Sequence, residues 1–230
     1  MIRIAVIGAG GLGGPIVLGL ASAGVEVTVF DGDTVELSNL HRQIQFCDAD
    51  LGRNKASVVA QWAGAHRAYD MHWTAAIADQ TCCECDIIVD ATDSAETKFA
   101  VADWATRTGR PYVIAAAIGV MGNVMFGAPG FACYRCWFEN PPTLAGTCGD
   151  SGVLGPILGM VAAKAVDGAL TLAVGDRTTA GTLWTCDDLS SALPQPRQRA
   201  LSARSDCPSC QTSAMPPGQI APQWAEVSRG

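Results

Sequence analysis

Residues 4–33 read IAVIGAGGLGGPIVLGLASAGVEVTVFDGD, and this stretch decides the fold. The apolar run 4–7 predicts a buried strand. Gly8, Gly10 and Gly13 follow in G-x-G-x-x-G spacing, and an apolar, small-residue helix is expected over 13–23, closed by Gly24. A second strand, 25–30, runs into Asp31. Glycines let the backbone turn tightly and approach a phosphate. The following helix start offers N–H groups and partial positive charge to that anion. An acid closing the next strand can accept from ribose hydroxyls. The stretch therefore predicts a nucleotide site, while the glycine spacing alone leaves the nucleotide open.

Working outward, residues 34–46 have loop-like polarity, and residues 51–63 have helical spacing with Arg53 and Lys55 near its opening. A weak strand is expected at 71–74, then an Ala-rich turn. A short buried strand at 86–90 ends in ATDS, a helix spans 96–108, and a strand spans 112–117. This alternation predicts an α/β fold: a Rossmann-like, open, mostly parallel sheet with helices on both faces. From Gly119 the texture changes. Strands at 124–126 and 183–185 are expected in a smaller antiparallel layer, separated by a Pro/Gly-rich loop and a helix over 156–172. We read residues 1–214 as one domain, with a nucleotide-binding half at 1–118 and a second half at 119–214. Residues 215–230 are expected to form a flexible tail.

The chain has 230 residues, 49% hydrophobic and 16% charged, so it is globular and core-rich. A net charge of −7, with no basic stripe, argues against a nucleic-acid partner. The apolar start runs straight into a glycine loop, unlike a secretory signal, so a cytoplasmic location is expected. Residues 153–174 are long enough to span a membrane but contain Pro156, Lys164 and Asp167. Lys164 and Asp167 can pair on one helix face, so a buried or dimer-facing helix is expected instead.

Asp31 and Asp33 close one strand, and Asp90 and Asp93 close another. All four are expected at the sheet edge where ligands bind. Beside a triphosphate they imply Mg²⁺; capping of loops and helices is the plainer alternative. Arg42 and Lys55 supply phosphate-binding charge, with Ser38 and Asn39 as polar neighbours, unless this is simply a solvated loop. Cys133-Tyr-Arg-Cys136 and Cys207-Pro-Ser-Cys210 together predict a closed, structural Zn²⁺ site, with redox chemistry of one pair as the rival. Cys148 lies in a Gly-rich loop before an apolar helix and is a candidate nucleophile or sulfur carrier, or a small packed residue. Cys82, Cys83 and Cys85 have no His spacing to suggest a metal, Cys47 and Cys186 read as packing, and His41 is assigned no catalytic role.

In order, GAGGLG, DGDTVELSNLHRQ, LGRNKA, DATDS, CYRC, TCGDSGVLGPILG and CPSC resemble the ubiquitin-activating-enzyme-like adenylyltransferases of the ThiF/MoeB/HesA family, from Ile4 to Cys210. The resemblance implies an enzyme that binds MgATP and activates the C-terminal Gly-Gly carboxylate of a small ubiquitin-fold carrier as an acyl-adenylate, releasing pyrophosphate. Sulfur or a thiol would then displace AMP. It implies that Gly11, Asp31, Ser38, Asn39, Arg42 and Lys55 contact ATP, together with the glycine turn, Asp33 and Ser94. Asp93 would hold magnesium, and Cys133, Cys136, Cys207 and Cys210 zinc. Arg42 and Lys55 would stabilise phosphate charge. Cys148 matches a loop cysteine that carries a persulfide link in some members. A homodimer is implied.

Relatives usually precede the first strand with a helical segment whose arginine reaches the partner's ATP. Here the first strand starts at Ile2. Adenylation is therefore expected to be slower, to use another basic group such as Arg53, or to depend on a partner protein, and the sulfur donor is expected to be separate. Two other functions stand beside this one: an NAD-dependent oxidoreductase, from Gly8, Gly10, Gly13 and Asp31, and a degenerate dimeric scaffold.

Overall fold

The structure is a computed structural model, and it describes residues 1–141, 152–186 and 196–210. One eight-stranded sheet runs through it in the order β3-β2-β1-β4-β5-β6-β7-β8. The strands are β1 (Arg3–Ile7), β2 (Glu26–Phe30), β3 (Arg67–Tyr69), β4 (Ile87–Asp90), β5 (Tyr112–Ile118), β6 (Met121–Gly127), β7 (Thr182–Cys186) and β8 (Arg197–Ala200). The five strands from β3 to β5 are mutually parallel. β1 and β4 are almost wholly buried, as continuous apolar runs in a parallel sheet require.

The helices are α1 (Gly13–Ser22), α2 (Lys55–Ala63), α3 (Ala75–Thr81), α4 (Ala95–Arg107), the short α5 (Tyr134–Trp137) and α6 (Gly155–Ala173). α1, α2 and α6 enclose one apolar core against the sheet. α3, α4 and α5 border a second core, around Phe30, Trp104 and Tyr112, on the other face. Side-chain oxygens of Asn54 and Ser94 accept from the N–H groups of Ser57 and Thr97, which starts α2 and α4 where they do.

Several boundaries differ from the sequence reading. α2 opens at Lys55 rather than residue 51, because Gly52 takes a positive φ and Asn54 is the cap. The weak strand lies at Arg67–Tyr69, pairing with β2, instead of 71–74. The Ala-rich turn is helix α3. The antiparallel strands continue the edge of the same sheet beyond β5, through a hairpin that turns at Gly119 (φ 57°). Cys186 is buried as expected, whereas Cys47 is exposed, its thiol 3.3 Å from Asp50.

α6 is long and apolar enough to cross a membrane by length and composition, yet half of that window is buried inside the protein. Its apolarity follows from the packing. A Cβ at Gly122 of β6 would lie 2.2 Å from Val161, and one at Gly168 would lie 2.0 Å from the Phe126 ring. Lys164 and Asp167 pair at 2.8 Å on its exposed side. Cys148 and the 215–230 tail lie outside the described residues.

Candidate active site

The chain direction of the strand connections reverses between β1 and β4, and a cleft opens at their C-terminal ends, as in other open α/β sheets. It encloses about 880 Å³, the size of a small-molecule site. Gly8, Gly10, Gly11, Asp31, Asp33, Asn39, Arg42, Lys55, Asp93 and Ser94 all line it. Gly13 and Ser38 do not. Gly13 lies behind the turn, where a Cβ would sit 1.9 Å from the Gly8 carbonyl oxygen; it lets helix and turn touch. The Ser38 hydroxyl donates to Glu36 at 3.2 Å and accepts from Asn39 at 3.1 Å.

The glycine turn is clamped. Asp31 accepts from the Ala9 N–H at 2.7 Å and from the Asp33 N–H at 2.8 Å. Gln45 donates to the carbonyls of Ala9 and Gly10 at 3.0 and 2.9 Å. Burial pushes the Asp31 carboxyl above its ordinary value, against the pull of the two N–H donors and the Lys55 charge. The start of α1 carries no side-chain cap; the Gly14 N–H donates to the Gly10 carbonyl at 3.0 Å and Pro15 has no N–H, so the helix contributes chiefly its dipole to the turn in front of it.

Lys55 is 7% exposed. Its ammonium donates to Asp33 at 3.1 Å, and its own N–H donates to the Asp33 carbonyl at 2.9 Å. Asn54 braces the same strand end, donating to the carbonyls of Asp31 and Asp33 and to Asp70. The Arg42 guanidinium donates to the Ser38 carbonyl at 3.2 Å and has no carboxylate partner among the described residues. Arg53, considered above as a substitute cation, is tied to Asp50 at 2.6 Å and Gln61 at 2.8 Å, away from the cleft lining.

Of the four carboxylates expected together, three line the cleft and Asp90 does not. Asp90 is fully buried and paired with Lys98 at 2.7 Å. Lys98 also donates to the carbonyls of Thr92 at 2.7 Å and Ala115 at 2.8 Å. This pair fixes the turn that presents Asp93 and was not foreseen. A lysine among Phe99, Val101 and Ala102 on one helical face was the available signal. Also unforeseen are Gln45, Gln43, whose buried Oε1 has no partner among the described residues, and His72, against which Gly32 packs closely.

The two C-x-x-C pairs meet although 74 residues separate Cys133 from Cys207. Their sulfurs lie within 4.8 Å of one another, with Cys133–Cys136 at 3.8 Å and both Cys133–Cys207 and Cys136–Cys210 at 3.5 Å. Four thiolates ~2.3 Å from a tetrahedral zinc sit about 3.8 Å apart, so the set fits that ion. Asp103 of α4 braces both knuckles: Arg135 donates to it at 2.7–3.0 Å and Ser209 at 2.6 Å.

The sequence pattern of the ThiF family matches residues 1–210. The chain belongs to the ThiF family. Among its relatives, the adenylyltransferase and sulfurtransferase MOCS3-1 of Zea mays is 35% identical over 218 residues, covering 90% of this chain and 46% of that protein. The adenylyltransferase and sulfurtransferase uba4 of Emericella nidulans is 31% identical over 226 residues, covering 90% and 47%. This ThiF-family chain thus spans about half the length of those curated relatives. Among solved structures, E. coli MccB with ATP superposes with a TM-score of 0.76 at 18% identity, covering 91% of this chain and 66% of that one. PaaA gives 0.67 at 17% identity, covering 87% and 64%. These two likenesses speak for the fold.

Proposed function

We propose that this ThiF-family protein is an ATP-dependent adenylyltransferase that activates the C-terminal Gly-Gly carboxylate of a small ubiquitin-fold or sulfur-carrier protein. One observation carries the reading: the glycine turn leading into the uncapped α1, an Arg42 with no carboxylate partner among the described residues, a buried Lys55 and an exposed Asp93 line the same cleft. The names of the maize and Emericella relatives support it.

A C-terminal carboxylate is ionised at neutral pH and needs no general base. Its oxygen attacks the α-phosphorus of ATP, the bond to pyrophosphate breaks, and the acyl-adenylate forms. The work left to the protein is positioning and charge stabilisation. The glycine turn and the start of α1 bind phosphate oxygens. Arg42 and Lys55 hold the negative charge gathering on the transferring and leaving groups. Asp31 shapes the turn through Ala9 and flanks the ribose. Asp93 would hold Mg²⁺, which neutralises phosphate charge when bound. Zn²⁺ in the four cysteines would join the segment carrying Cys207 and Cys210 to α5. Sulfur transfer through Cys148 from a separate donor, a homodimer and a cytoplasmic location belong to the same proposal.

Exchange of labelled pyrophosphate into ATP, dependent on a carrier ending in Gly-Gly, tests it. Arg42→Ala should lower that exchange at least tenfold with the fold intact. Biological activity untouched by Arg42→Ala would favour a scaffold instead.

A further inference from the structure

Cys82, Cys83 and Cys85 belong neither to the zinc-type cluster nor to the nucleotide cleft. They close α3, and Cys82-Cys-Glu-Cys85 is itself a C-x-x-C sequence. The Cys85 N–H donates to the Cys82 carbonyl at 3.0 Å. Such a turn brings its first and fourth Cα atoms within about 7 Å, and a disulfide needs about 4.4–6.8 Å. Both side chains pack on the same apolar cluster, Cys82 inside it and Cys85 against it. Arg110 locks the turn from outside. It donates to the carbonyls of Cys83 at 2.6 Å and Cys85 at 3.0 Å while its guanidinium lies over Trp104 at 5.2 Å.

The surroundings also divide the roles. Cys82 is 1% exposed, Cys85 is half-buried and Cys83 is exposed. Trp73 is buried and its indole neighbours Cys82. The Cys85 thiol, the Thr81 hydroxyl 3.7 Å away, the Trp73 indole and the Arg110 charge draw the Cys82 thiol down to about 7 against burial, whereas the Cys82 sulfur and burial push Cys85 up. A thiolate beside a thiol across one tight turn is the arrangement that dithiol oxidation requires.

We propose that Cys82 and Cys85 are a redox-active dithiol that closes reversibly to a disulfide on meeting a two-electron oxidant of the peroxide class. The Cys82 thiolate attacks a peroxide oxygen and the O–O bond breaks. The departing hydroxide takes a proton and leaves as water, and Cys82 becomes a sulfenic acid. The Cys85 sulfur then attacks the Cys82 sulfur, the S–O bond breaks, and the Cys85 proton leaves with that oxygen as the second water. Two thiols lose two electrons and two protons, and one peroxide becomes two waters.

The experiment uses the full chain, reduced and zinc-loaded, exposed to equimolar hydrogen peroxide, alkylated, and digested without reductant. The expected product is a peptide containing Cys82, Cys83 and Cys85 that is lighter by two hydrogens, alkylated once at Cys83, and restored by dithiothreitol. Cys83→Ser, at an exposed position, should give the same bridge. Cys85→Ser should abolish it and leave a sulfenic acid at Cys82 that dimedone traps. Full alkylation of Cys82 and Cys85 after peroxide treatment would overturn the proposal, as would a bridge that disappears in Cys83→Ser.

Discussion

Replacing Lys98 with methionine removes one ammonium and keeps most of the side-chain volume. In the native protein that ammonium makes three short bonds, to Asp90 at 2.7 Å and to the carbonyls of Thr92 and Ala115 at 2.7 and 2.8 Å. The Asp90 side chain has no solvent exposure, so the carboxylate cannot turn to water when its partner goes. Removing one member of such a pair costs about 3–5 kcal/mol, against a total stability of about 5–15 kcal/mol for a typical domain. We therefore expect Lys98→Met to lose about 3–5 kcal/mol in urea unfolding followed by tryptophan emission. The double variant Lys98→Met/Asp90→Asn removes the stranded charge and should recover part of that loss. A single-variant loss below about 1 kcal/mol, in the range of an exposed ion pair, would refute the reasoning. So would a double variant whose loss equals or exceeds the sum of the two single ones.

The remaining predictions use the same kind of contrast. Gly13→Ala sets a Cβ 1.9 Å from the Gly8 carbonyl oxygen, backbone against helix, and should abolish ATP binding by calorimetry or soluble folding outright. Gly24→Ala meets open space at φ 79°, so it should cost only about 1–2 kcal/mol, the left-handed penalty, and leave ATP binding intact. Cys207→Ser removes one of four sulfurs and should leave less than one equivalent of zinc per chain after dialysis, with a lower melting temperature. Asp103→Ala cuts the bonds from Arg135 and Ser209 and should speed zinc loss to a chelator while sparing pyrophosphate exchange.

What the sequence made legible were elements whose burial is continuous along the chain. β1 and β4 carry apolar runs of four and three residues, and their neighbours in the parallel sheet are covered on both faces, so composition alone marks them. Each C-x-x-C pair is equally local. β3 escaped because it is three residues on the sheet edge, held by pairing with β2 and not by its own pattern. Asp90 was misplaced because a strand-end acid looks the same whether it faces solvent or a lysine eight residues on; only the helical turn of α4 brings that lysine back. Gln45 was unreadable for a similar reason. Its partners, Ala9 and Gly10, lie 36 and 35 residues away, and a buried glutamine between apolar residues gives no period of its own. The antiparallel strands were visible singly, but their place in the sheet depends on the Gly119 hairpin and on the Tyr112–Gly127 pairing. There a side chain on Gly127 would collide with the tyrosine ring, 2.1 Å away.

α4 explains how the cleft and the cysteine cluster stay in one frame without sharing a residue. Its first turn is capped by Ser94 and anchored by Lys98, which sets the strand end that presents Asp93. Two turns later Asp103 receives Arg135 and Ser209, the neighbours of Cys136 and Cys210. Trp104, next along, donates to Asp79 at 2.8 Å, lies edge-on to Trp73 and carries Arg110 on its face, so it also supports the α3 turn. Strain at any of these points therefore has a rigid route to the others, thirteen residues long and buried on one side. Damage to the cysteine cluster should reach the cleft only as far as α4 shifts. Intact exchange activity in Asp103→Ala therefore measures how firmly Lys98 holds the helix start.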